Sequence, residues 1–212
     1  MAFTSYYNRI VFTLVFMLCI GQSNKSVAQF GLQCSEFAPK GDIGKFFNKG
    51  VSENIYFIVQ SNDNKWKYRF GWLYTKLSTR LDTVRTYGVE NNIVFPGYLV
   101  DRDFYITCFS ADLNRRIVSI HGLSIYLGLG AVAGKSHVNY VSEIETIRTD
   151  AGSVDTYIAG IRLNAMLDYR INKHFDIYLD ACRDLITSSD YVTSYNSNEF
   201  GAGINYFIHK RK

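Results

Sequence analysis

Beyond residue 28 the chain falls into segments in which apolar and polar side chains alternate, the period of a strand rather than a helix. The stretch 64–77 is the plainest. Trp66, Tyr68, Phe70, Trp72 and Tyr74 share one face, and Lys67, Arg69, Gly71 and Thr75 share the other, with Leu73 the exception. In 154–170, Tyr157, Ala159, Ile161, Leu163, Ala165, Leu167 and Tyr169 alternate with Thr156, Gly160, Arg162, Asn164, Asp168 and Arg170, and Ile158 and Met166 interrupt the polar row. In 173–186, Phe175, Ile177, Leu179 and Ala181 oppose Asp176, Asp180 and Asp184; in 197–208, Phe200, Ala202, Ile204, Tyr206 and Ile208 oppose Glu199, Gly201, Gly203 and Asn205. With 29–37, 51–61, 99–113 and 117–137 these segments make eight predicted strands. The strand 99–113 takes no face, because Phe104 and Ile106 fall on one side while Tyr105 and Phe109 fall on the other.

The connections alternate as well. Short joins are expected at Asn62-Asp63, around Asn114-Arg115-Arg116 and at Asn172. Longer polar joins are expected over Ala38 to Gly50, Ser78 to Tyr98, Ser142 to Val154 and Thr187 to Asn196. Outer-membrane barrels have short turns at the periplasmic end and longer loops outside. An N-terminus in the periplasm puts all four long joins on the cell surface.

Alternation alone does not say which face looks outward, but side-chain volume does. An eight-stranded barrel has an interior just wide enough for side chains to fill, and the five aromatic rings of 66–74 would overfill it. The opposite face offers Gly31, Gly71, Gly122, Gly128, Gly130, Gly134, Gly160, Gly201 and Gly203 among Arg, Asp and Asn. The expectation is an all-β chain, an eight-stranded antiparallel up-and-down transmembrane β-barrel. Trp66, Tyr68, Phe70, Trp72, Tyr74, Tyr157, Ile161, Leu163, Leu167, Tyr169, Phe175, Ile177 and Leu179 face lipid. Arg69, Arg162, Asn164, Asp168, Asp176, Asp180, Glu199 and Asn205 face the interior. Buried charge is tolerable there only if paired, so Arg69 and Arg162 are expected to meet Asp168, Asp176, Asp180 or Glu199 and to plug the lumen. Arg183, on the apolar face near the loop end, is expected to snorkel.

Composition agrees with strands, since 16% of residues are aromatic and only two are proline. The N-terminus reads as an export signal, with Arg9 ahead of the apolar run Ile10 to Ile20 and a small-x-small site at Ser26-Val27-Ala28. Cleavage after Ala28 leaves a single barrel domain, 29–212, in the outer membrane of a Gram-negative bacterium. It removes two of the 23 basic side chains, Arg9 and Lys25, and none of the 19 acidic ones. The mature chain is then near neutral and has no charge block of the kind that binds nucleic acid. Cys34, Cys108 and Cys182 remain, without the spacing of a metal or redox pair, and allow at most one internal disulfide.

Little in the sequence points to catalysis. His121, His137, His174 and His209 are scattered, and only His137, with Ser136, Glu143 and Glu145 nearby, resembles part of a hydrolytic cluster. Asp176, Asp180 and Asp184 stand about 13 Å apart at each four-residue step on a strand, too far to share one cation. No catalytic, metal or cofactor residue is assigned. Gly128-Leu129-Gly130 and Gly201-Ala202-Gly203 sit inside strands and serve as interior spacers rather than phosphate loops. Tyr87, Tyr98, Tyr140, Tyr191 and Tyr195 divide between loop contacts and interfacial girdles.

Three stretches carry a resemblance: Leu127-Gly128-Leu129-Gly130-Ala131-Val132-Ala133-Gly134, Leu167-Asp168-Tyr169-Arg170-Ile171-Asn172-Lys173-His174-Phe175 and Phe200-Gly201-Ala202-Gly203-Ile204. Together they resemble the TraO family of Bacteroidota conjugative transposons, small exported proteins of conjugal transfer operons. The resemblance implies a non-enzymatic outer-membrane component of the mating apparatus, with the bilayer and other conjugation-apparatus proteins as partners. The alternatives are a general outer-membrane barrel for adhesion or envelope structure, and an outer-membrane hydrolase or acyltransferase with a loop-borne site.

Overall fold

A computed structural model describes residues 27–61, 63–80, 84–90, 93–144, 148–188 and 194–208. The strands are β1 (Val27–Pro39), β2 (Gly50–Gln60), β3 (Trp66–Leu77), β4 (Val84–Glu90), β5 (Ile93–Ile120), β6 (Leu123–Ile144), β7 (Arg148–Arg170), β8 (Phe175–Ser188) and β9 (Ser197–Phe207), with one short helix, α1 (Ile43–Phe46). All pairings are antiparallel. They run β3-β2-β1-β9-β8-β7-β6-β5, and β5 pairs back to β3 from Trp66↔Arg115 to Leu77↔Phe104. The chain is thus an eight-stranded closed antiparallel β-barrel. Closure leaves no open sheet edge in the ring itself.

Local chemistry sets the tight turns. Between β2 and β3, Asp63 Oδ1 accepts hydrogen bonds from Ser61 Oγ at 2.6 Å and from the Lys65 amide at 3.0 Å. Between β7 and β8, Asn172 Oδ1 accepts from the His174 and Phe175 amides at 2.8 and 3.0 Å. The third turn is not at Asn114-Arg115-Arg116, where a polar run suggested it. Alternation continues through that run: Asn114 points inward and is fully buried, while Arg115 points outward with its guanidinium 5.6 Å from the centre of the Trp66 ring. The chain reverses instead at His121 and Gly122, with φ of 47° and 87°. Positive φ at both central residues is the two-residue hairpin geometry whose twist matches that of the strands. Gly122, expected in the interior, therefore lies in a turn.

The opposite end departs further from expectation. The join expected over 78–98 contains β4, whose Val84 to Glu90 pairs with Leu99 to Ile93 of β5. Strands β6 and β7 continue their ladder to Ile144↔Arg148, so most of the join expected over 142–154 is strand. Above the barrel rim, β4, β5, β6 and β7 form a projecting four-stranded sheet. The segments 84–90 and 93–99 are rich in β-branched and aromatic residues, and that content outweighs the polar residues around them.

The stretch expected to be an export signal lies outside the described residues except for Val27 and Ala28. Val27 and Ala28 pair with Gln60 and Val59, two rungs that a cut after Ala28 would remove while leaving those from Gln29 onward.

Candidate functional site

The thirteen positions expected to face lipid all point outward from the barrel. Ten are exposed, and Trp66, Phe70 and Leu167 are half-buried among outward neighbours. Outward rings pair across strands, Trp72 with Phe109 at 6.2 Å and Tyr74 with Tyr105 at 6.0 Å between centroids. Tyr157 and Tyr169 close the two ends of the outward row on β7. Twelve residues separate them, about 30 Å along the barrel axis for a strand tilted by about 40°.

The eight polar residues expected inside are all buried. Arg69 on β3 donates through Nε to Asp112 Oδ2 at 2.9 Å and through Nη1 to Asp180, and its guanidinium lies 4.4 Å from the centre of the Tyr56 ring. Since β3 and β8 are diametrically opposite in the strand order, the Arg69–Asp180 pair spans the full width of the lumen. Arg162 holds Asp184 with two bonds of 2.7 and 2.8 Å and Glu199 with one of 2.9 Å. Ser197 adds a bond to Asp184 at 3.1 Å. Nearer the tight turns, Lys67 pairs with Asp168 and lies 4.5 Å from the centre of the Tyr126 ring; Gln29, Gln60 and Tyr126 continue this layer by hydrogen bonds of 3.1 and 3.0 Å. Of the expected partners, Asp180 meets Arg69 and Glu199 meets Arg162, whereas Asp168 meets Lys67 and Asp176 meets Arg170 at the rim, at 3.9 Å.

Asp112 and Asp184 complete the two arginine sites. Asp112 escaped the sequence reading because its strand carries apolar residues on both faces. Its phase with Ser110 and Asn114 was the available signal, since all three point inward.

The inward face is not polar throughout. Phe37, Leu73, Leu77, Phe104, Ile106, Cys108, Val132, Ile158 and Ile186 form an apolar cluster toward the long loops, into which Ile43 of α1, Phe47 and Tyr195 fold from above. Phe47 stacks on Phe104 at 4.3 Å, and Phe104 on Tyr195 at 6.2 Å. The exceptions at Leu73 and Ile158, and the two-faced strand 99–113, are thereby explained: Phe104 and Ile106 belong to this plug, and Tyr105 and Phe109 to the outer wall. Met166 packs lower, with Tyr126 and Tyr178.

The hydrolytic cluster does not assemble. Ser136 points inward, its hydroxyl 3.5 Å from Tyr195 Oη, while its neighbour His137 points outward. His137 bonds Asp155 at 2.7 Å and Asn139 at 3.0 Å. Glu145 and Tyr191 lie outside the described residues, as do the side chains of Glu143, Tyr87, Tyr98 and Tyr140. Cys34 points outward, Cys108 and Cys182 point inward, and all three are free thiols. Asp176, Asp180 and Asp184 each pair with a different arginine. Arg183 is exposed on the outer wall and bonds Asn198 at 3.0 Å.

No protein-family model matches the chain, and no curated protein matches it. Among solved structures, the chain is similar to Neisserial surface protein A, at 14% identity and a TM-score of 0.51, over 85% of this chain and 96% of that one. It is also similar to a major outer membrane protein from Thermus thermophilus, at 10% identity and a TM-score of 0.55, over 85% and 99% respectively. At such identities the likeness is one of fold, and the fold it shares is that of small outer-membrane β-barrels.

Proposed function

We propose that this protein is a non-enzymatic outer-membrane barrel whose work is done by the sheet and loops at one end, in adhesion or envelope structure. The observation that carries the reading is the division of the molecule. A wall with an apolar exterior and an ion-paired, plugged interior suits lipid outside and no wide channel within. The four-stranded projection is the part of the fold that a bare barrel does not need. Loops and extensions on a rigid scaffold are where binding residues concentrate.

The test is to replace residues 80–102 by a short turn and trim the β6–β7 hairpin above Asn139 and Ser153. The trimmed protein should still show heat-modifiable migration, and cells bearing it should lose surface attachment or envelope integrity relative to the full chain. Unchanged attachment and integrity with a folded, trimmed barrel would overturn the reading.

A role in conjugal transfer rests on the resemblance to the TraO family. The residues that carry it lie in β6, at the β7–β8 turn and in β9, where they act as interior spacers, turn formers and wall. Any barrel of this size needs such residues, so they do not by themselves specify a mating partner. Transfer frequency in a strain lacking the gene decides this finer reading, and no change in frequency would remove it.

A further inference from the structure

Charge marks the mouth-side limit of the apolar outer wall. Glu36 on β1, Glu53 on β2, Lys76 on β3 and Arg183 on β8 are exposed and point outward, and on their turn side the outward faces of these four strands carry no charged residue. Such a boundary is where the head groups of a bilayer begin. Three of the four have partners: Glu36 pairs with Lys49 at 2.7 Å, Lys76 Nζ lies 5.2 Å from the centre of the Tyr105 ring, and Arg183 bonds Asn198. The Glu53 carboxylate has none among the described residues.

Glu53 stands at the head of a groove. Its rung continues to Cys34 on β1 and Ala202 on β9, two small side chains, whereas the next outward rung toward the turns is Ile55–Leu32–Ile204 and the one after it Phe57–Phe30–Tyr206. The short side chains leave an open groove of about 810 Å³, which starts at Glu53 beside Tyr74, passes Trp72, and ends at Phe30, Phe175 and Tyr206. From Cys34 to Phe30 it runs four residues, about 13 Å along the strand. All these side chains point outward, so the carboxylate and the hydrocarbon surface share one face of the sheet.

A soluble amine would engage Glu53 and leave Leu32, Ile55, Ile204 and Trp72 uncovered. A bare hydrocarbon chain would cover them and leave the carboxylate unpaired at the edge of an apolar layer, which is costly. An amphiphile with an ammonium head does both, because its N–H groups donate charge-assisted hydrogen bonds to Glu53 while its chain lies along the groove. We propose that this groove binds an ethanolamine-type phospholipid, with the ammonium held by Glu53 and one acyl chain running over Cys34 and Ala202 toward Phe30 and Tyr206. The site is separate from the projecting sheet and requires only that the wall face lipid.

The experiment places the full barrel in nanodiscs of equal phosphatidylethanolamine and phosphatidylcholine and counts, by native mass spectrometry, the lipids retained after release. The two lipids have the same net charge, but only the first has ammonium N–H groups. It should be retained about fivefold over the second, the ratio that one partly exposed charge-assisted bond supplies. E53Q should abolish the preference, and A202F, which fills the groove and leaves the carboxylate, should abolish it too. D155N, an exposed carboxylate on the diametrically opposite β7, should leave it unchanged.

A barrel that does not enter nanodiscs refutes the membrane reading itself. One that enters and retains the two lipids equally refutes only the lipid site, and that wild-type comparison decides the matter even if a variant fails to fold. Loss of the preference in E53Q but not in A202F would overturn the groove. Displacement of the retained lipid by glycerophosphoethanolamine at comparable concentration would make this a site for free amines, and a doubled protein mass that vanishes in E53Q would give the groove to a second copy; either result overturns the assignment.

Discussion

The middle and the mouth of the barrel are lined by the same inward faces of the same strands, yet they are closed by opposite chemistry. Strand β3 presents Lys67 and Arg69 low in the lumen and Leu73 and Leu77 near the mouth; β7 presents Asp168 and Arg162, then Ile158; β8 presents Asp180 and Asp184, then Ile186. In the middle, each arginine lies between two carboxylates supplied by other strands. At the mouth, α1 and the segment around Tyr195 fold over the opening, so apolar side chains can be buried without directional partners. Polarity along an inward face therefore follows what can be reached across the lumen and what covers it from above. One plug depends on geometry, the other on area removed from water.

The hardest test of this contrast is Arg162→Met. It leaves Asp184 and Glu199 without their shared cation and should destabilise the barrel by about 3–5 kcal/mol, the usual cost of breaking one partner of a buried pair. A urea titration in lipid vesicles, followed by heat-modifiable migration, measures it. Replacing Arg162, Asp184 and Glu199 together with apolar residues of similar volume should recover most of the loss, because no unpaired charge then remains. A loss below about 1 kcal/mol for the single variant would mean that water solvates the middle, and the contrast with the mouth would vanish.

At the mouth, Phe104→Ala should cost about 3 kcal/mol, since the ring lies between Phe47 and Tyr195 and its removal leaves a cavity. Phe104→Leu should cost less than about 1.5 kcal/mol, because an apolar layer tolerates a change of shape. The parallel change in the middle, Arg69→Lys, keeps the charge but loses the planar fork that reaches Asp112 and Asp180 at once, and is predicted to be the more damaging of the two conservative changes. The same titration ranks them, and the reverse order would refute the comparison.

How much of this was legible in the sequence follows the same division. Where an inward row carried charge, as on β8, both face and role could be read, because Asp176, Asp180 and Asp184 alternate with Phe175, Ile177 and Leu179. Where the inward row turned apolar, at Leu73, Phe104, Ile106 and Ile158, period-2 reasoning lost its contrast and the residues looked like exceptions. Nothing local says that a lid formed by Ile43, Phe47 and Tyr195 will cover them, since Phe104 meets Phe47 and Tyr195 only across long stretches of chain on either side. Polar runs misled in two places. Asn114-Arg115-Arg116 looked like a turn but splits between lumen and outer wall, and the stretch before Tyr98 looked like a loop although its apolar residues pair as strands.

A smaller effect probes the middle without touching charge. A Cβ at Gly71 would run into the Tyr56 ring, which also faces the Arg69 guanidinium. Gly71→Ala should cost about 1–3 kcal/mol through overpacking. Adding Tyr56→Ala should relieve part of that cost, so the two changes should couple favourably in a double-mutant cycle. Simple additivity would show that the ring does not need the glycine.

The smallest expected effect concerns what fastens the lid over the mouth. Asp42, just before α1, accepts hydrogen bonds from Lys45 at 3.0 Å and from the Ser194 amide and hydroxyl, both at 3.3 Å. The bond from Lys45, then that from the Ser194 backbone, holds its carboxyl below the ordinary value of 3.8. A depressed folded-state pKa means that the latch is fully formed above that ordinary value and is lost only as pH falls through the lower, folded one. At neutral pH, Asp42→Asn should speed hydrogen exchange at the Ser194 amide while leaving the urea midpoint where it is, because the apolar plug beneath carries the closure. If Asp42→Asn instead shifted the midpoint as far as Phe104→Ala does, the mouth would be held by a polar latch like the middle, and the two regions would not differ in kind.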